Sequence, residues 1–261
     1  SHTFNTSNQT ILPDASYTKS SIVDVAFSDI DKDGDIDLLL NYAIGYSGFG
    51  IQILENQNNK IQTFVYLHLS KINRHFMEGT FEAGIASIPL IEEKLTEYEL
   101  YLDRHRILVF YYKFASLYFG AGNYSVSIDY LNKVINLKGD LRTDLQCYAR
   151  LLHLIAHYEL GNFEILEHLL KSVTRFMAKM DNLGLAESEI FSFLKRSFRL
   201  QPSALKPAFE KLLEDLKKVE QDKLASRAFM YLDVISWLES KIEGKEVQDI
   251  IRDKYLRSIK E

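Results

Sequence analysis

Five aspartates occupy nine consecutive positions in "DIDKDGDID", residues 29–37. Carboxylates this close repel one another unless a cation neutralises them, and a hard divalent ion with oxygen ligands suits the task. Asp29, Asp31 and Asp33 stand at loop positions one, three and five, and Gly34 at six, where a sharp turn favours a residue without Cβ. Asp35 at seven would offer its backbone carbonyl and Asp37 at nine a further carboxylate. The expected ligand is Ca2+. The alternative is a solvated acidic hairpin tip.

A second constellation is "HLIAH", in which His153 and His157 lie one helical turn apart, with His168 a helix away. Two histidines so spaced hold zinc in some hydrolases, but Leu154 stands where such enzymes need a glutamate. Both also fall at positions that point into a helical hairpin, which favours a packed or hydrogen-bonded role. A metal-dependent enzyme or ligand-regulated sensor with its site in the helical groove is the rival reading that this pair supports. No G-x-S-x-G and no glycine-rich phosphate loop occurs, and the pairs Glu92–Glu93 and Glu214–Asp215 fall on predicted surface faces. Cys147 is the only cysteine, so no internal disulfide forms. A non-enzymatic protein is expected.

The elements that must position the aspartates read as strands. "SIVDVAFSDID" precedes the loop, and "DIDLLLNYAI", "FGIQILEN" and "IQTFVYLHL" follow it, with Gly and Asn between them. Alternating, β-branched and aromatic residues of this kind predict four short antiparallel strands. At the twelfth loop position an EF-hand has a glutamate, and here Leu40 leads into a strand. The D-x-D-x-D-G-x-x-D spacing between strands instead resembles the FG-GAP or VCBS repeat, one blade of an integrin-like propeller. That resemblance implies a calcium-binding β segment over residues 1–66. A lone blade has little core, so it must pack on helices or derive from a longer propeller.

From about Leu67 the apolar period changes to 3.6. Gly79, Gly122 and Gly161, spaced 43 and 39 residues apart, mark junctions between helices, a spacing typical of an α-solenoid. From Leu108 to Leu137 the chain resembles a tetratricopeptide repeat. Tyr111, Phe114, Ala115 and Tyr118 fill the first helix, Gly122 and Tyr124 the turn, and Ser127, Leu131 and Val134 the second helix. Small Ala115 and Ser127 would let two helices approach closely. The segment from Cys147 to Ala178 departs from the pattern, and two further hairpins end in a polar cap from Glu246. The alternative is an irregular helical bundle. The expected fold is therefore α+β, mostly α: a TPR-like solenoid of about five hairpins over residues 67–261, preceded by a small antiparallel β blade.

The tetratricopeptide resemblance implies a protein or peptide partner along the first helices, at positions that include Asn73, Tyr112, Lys113, Ser116, Tyr148 and Tyr158. Asn73 and Lys113 match arrays that grip a C-terminal carboxylate, but Leu69, Tyr148 and Leu152 replace the other clamp residues. Tyrosine instead suits an apolar or helical ligand, or fills gaps between repeats. Residues 1–66 carry the whole net charge of −5, and no basic stripe for nucleic acid is present. No apolar run reaches the roughly 20 residues of a membrane span, and "SHTFNTSNQT" lacks a basic and apolar leader pattern. A calcium loop leans extracytoplasmic, whereas the helical part with free Cys147 suits cytoplasm equally. The expected function is a protein-interaction scaffold with a calcium-stabilised β segment.

Overall fold

The computed structural model describes residues 60–99, 102–136, 143–180, 184–220 and 233–259, together with the backbone of three strands. The chain divides into two units, Ser1–Ser70 and Lys71–Glu261. In the first, β1 (Ser20–Ser28), β2 (Asp37–Ile44) and β3 (Gly48–Leu54) pair antiparallel in sequence order. Ser28 pairs with Asp37 at one end of β1–β2, and a bulge interrupts the register between Ile22 and Asp24.

The expected blade of four strands is not formed, which corrects the fold class. "IQTFVYLHL" belongs to α1 (Lys60–Glu78), and every regular element among the residues described with their side chains is a helix. The reason is local. No Gly or Pro occurs between Lys60 and Glu78, so helix propagates back from "SKINRHFME" through an apolar run that periodicity alone could not assign.

In the second unit, the end of α1 is followed by α2 (Phe81–Ile85) and α3 (Ile88–Glu97). The helical stretch after Gly79 is split at Ala86–Ser87, where the Ser87 hydroxyl donates to Gly84 O and Pro89 opens the second piece. Next come α4 (Arg104–Gly120), α5 (Tyr124–Ile135), α6 (Thr143–Glu159) and α7 (Phe163–Lys179). They are followed by α8 (Leu185–Ser197), α9 (Pro202–Glu220), α10 (Val234–Glu243) and α11 (Val247–Ser258). From α4 to α11, successive helices pack on one another, and the first helices α4 and α6 also touch; no contact between α7 and α8 matches that within either flanking hairpin. Between α4 and α5 the Ser127 hydroxyl donates to Ala115 O at 2.8 Å, with both residues fully buried. Small side chains here allow that backbone-level approach.

Gly79, Gly122, Gly161 and Gly244 all close their turns at positive φ, a region that L side chains rarely adopt. The C-terminal helices then depart from a simple end cap, because they return along this row of turns. Trp237 Nε1 and Lys241 Nζ of α10 donate to Glu159 at the end of α6, at 2.6 and 2.7 Å. Glu246 reaches the Gly122 turn, and the backbone of Gln248 and Arg252 lies against Gly79. The end of the chain therefore meets the three turns in reverse order. Val247 and Ile250 supply the buried side of α11, and its exposed residues are polar apart from Leu256.

Candidate functional site

Asp29, Asp31, Asp33 and Asp35 lie outside the described residues, between β1 and β2. Asp37 is the first residue of β2. Among the described residues, no group of three His, Cys, Asp or Glu is placed to hold a metal ion.

The six residues expected on the first helices do not form one surface. Tyr112 and Tyr148 are only 2% and 6% exposed, so they pack inside the unit, the gap-filling alternative for tyrosine. Ser116 is half-buried, and its hydroxyl donates to Tyr112 O, one turn back on its own helix. Tyr158 is half-buried in an aromatic cluster, with Phe163, Phe193, Phe209 and Trp237 centred 5.9 to 6.3 Å away. Asn73 is exposed on the last part of α1.

Lys113 is the member with unusual electrostatics. It is half-buried on α4, and its Nζ lies 4.8 Å from the ring centroid of Phe76, which itself meets Phe81 edge-on. Among the described residues no carboxylate pairs with it. Burial pushes its ammonium below the usual lysine range, because a charge loses water there without gaining a counter-charge. An aromatic face offsets part of that cost.

The histidine pair is packed rather than open. His153 and His157 meet edge to face, 4.5 Å apart, and His153 is 8% exposed. The His157 Nδ1 is 3.1 Å from Asn162 Nδ2 across the α6–α7 turn, and His168 is exposed on α7. Burial first, then His157 and Arg150, pushes the His153 imidazole down to about 4. One turn before it, Arg150 lies 3.8 Å over the Phe176 ring and donates to Ile135 O of α5.

The chain matches no protein-family model, no curated protein and no solved structure. Among the described residues, no helix is long and apolar enough to cross a membrane.

A further cluster escaped the reading of the sequence. Glu92, Tyr111, Tyr130 and Lys133 converge from α3, α4 and α5. Tyr130 and Lys133, three residues apart, give a local signal that they share a helix face. Glu92, 41 positions before Lys133, gives none, which is why it read as solvated surface.

Proposed function

We propose that the helical unit is a non-enzymatic interaction scaffold that takes a peptide or helix of another protein along its first helices. One observation carries this reading: Lys113 is held half-buried on Phe76, at a cost in solvation, with no acidic partner among the described residues. Groups kept in such destabilising settings are found where a ligand completes them. An acidic group of the incoming segment would do so, and exposed Asn73 offers a polar contact.

Selection from a random peptide display library, followed by fluorescence-polarisation titration, tests the proposal. Enriched peptides should carry Asp or Glu and lose about tenfold in affinity, roughly 1.4 kcal/mol, to Lys113→Met. Peptides that bind the variant and the parent equally would refute it.

Calcium at Asp29, Asp31, Asp33, Asp35 and Asp37 remains part of the proposal on the spacing of the carboxylates alone. Titration calorimetry of metal-stripped protein should give one Ca2+ site that is lost in the Asp31→Asn, Asp33→Asn double variant. Heat evolved equally by both proteins would reject it.

A further inference from the structure

Three helices build a small cationic centre that the reading above does not use. Lys133 Nζ of α5 lies 4.8 Å from the centroid of Tyr111 and 4.5 Å from that of Tyr130, and 3.3 Å from Glu92 Oε1. Tyr118 stacks on Tyr130 with 5.6 Å between centroids and 12° between planes, which fixes the Tyr130 ring. Burial first, then the neighbouring Glu92 carboxylate, pushes the Tyr130 phenol up from its ordinary pKa. Ring faces attract cations through their quadrupole within about 6 Å of the centroid, and the carboxylate adds a full charge. An ammonium is thus held on three sides.

The lysine is not sealed in. Its side chain is 47% exposed, and beside it opens a cleft of about 360 Å³ lined by Glu92, Glu93, Leu95, Thr96, Tyr111 and Lys133. Both Glu92 and Glu93 line the cleft, and Glu92 is the carboxylate paired with Lys133. A surface ion pair contributes at most about 1 kcal/mol, which gives no reason for a stacked tyrosine pair and a third ring around it. The geometry points to a binding site for an alkylated ammonium in the cleft between α3, α4 and α5, with Lys133 as a tethered occupant that the ligand displaces. A methylated ammonium sheds water at lower cost than the strongly hydrated lysine head and offers more surface to the rings.

The full chain is titrated with tetramethylammonium, choline and a trimethyl-lysine peptide, with the unmethylated peptide as control, and the tyrosine ring resonances are followed by NMR. The rings of Tyr111 and Tyr130 should shift with the methylated ligands. Lys133→Ala should tighten binding about tenfold by removing the tethered competitor, and Glu92→Gln should weaken it. Tyr111→Leu in the Lys133→Ala background should abolish it. Thermal unfolding is read alongside, and the half-exposed Glu92→Gln carries the test if Tyr111→Leu does not fold. Equal affinity for choline and peptide would assign recognition to the head group, and tighter peptide binding would add contacts along a chain; both support the site. Silent rings in the parent and in Lys133→Ala, or equal affinity for methylated and unmethylated peptide, would overturn it.

Discussion

At the scale of single residues, buried His153 and half-buried Lys113 both sit in settings that resist protonation. His153 is pushed from 6.5 down to about 4. Between these values the unfolded chain takes up a proton that the folded chain refuses, so the stabilisation is complete above pH 6.5 and lost as pH falls to 4. The full effect is about 3 kcal/mol. Replacing His153 by Leu should flatten thermal unfolding between pH 7.5 and 4.5, and a slope equal to the parent's would place the sensitivity elsewhere. Lys113 is shifted in the same direction, by burial. Lys113→Met should therefore raise the melting temperature while losing peptide affinity, by about 2–4 °C for roughly 1 kcal/mol in a chain of this size. A lower melting temperature would mean that the Phe76 contact outweighs the lost hydration. Sequence made Ala115 and Ser127 legible as a close approach because a repeat pattern names small positions. It could not place Glu92 beside Lys133, since that meeting depends on how α3 docks on α5.

At the scale of elements, the turns discriminate between two uses of glycine. A Cβ at Gly79 would lie 2.6 Å from both Arg252 N and Gln248 O, on top of the strain of φ +63°. At Gly244, with φ +68°, nothing lies within 4 Å. Gly244→Ala should then cost only the left-handed strain, about 1–2 kcal/mol. Gly79→Ala must also displace backbone and should cost several times more in urea unfolding. Equal costs would show that α11 yields easily at Arg252. The junctions at Gly79, Gly122 and Gly161 were legible as glycines at a near-regular interval. The start of α1 was not, because "IQTFVYLHL" is apolar at both the helical and the strand period, and the deciding signal was the helix-compatible sequence after it. The break between α2 and α3 was also hidden, since a Ser hydroxyl bond and Pro89 act only once the chain has turned.

At the scale of the helical unit, α10 is anchored to the α6 end of the row of turns through one buried carboxylate. The Glu159 side chain is 6% exposed and accepts from both Trp237 and Lys241. Glu159→Ala strands a buried indole N–H and an ammonium, and should cost about 3–5 kcal/mol. Glu159→Gln, which keeps an acceptor for the indole, should cost less. Trp237 is the only tryptophan, so its emission reports directly on whether α10 stays seated; unchanged emission and stability in Glu159→Ala would rule out that role. The polar face of α11 was legible as the end of an array, but a polar helix reads alike whether it caps a stack or crosses its turns. Contacts between Gly79 and Arg252 join residues 173 positions apart. Loop closure over such a span comes late and slowly in folding. The helical unit is therefore completed only once α11 is in place against the turn that follows α1.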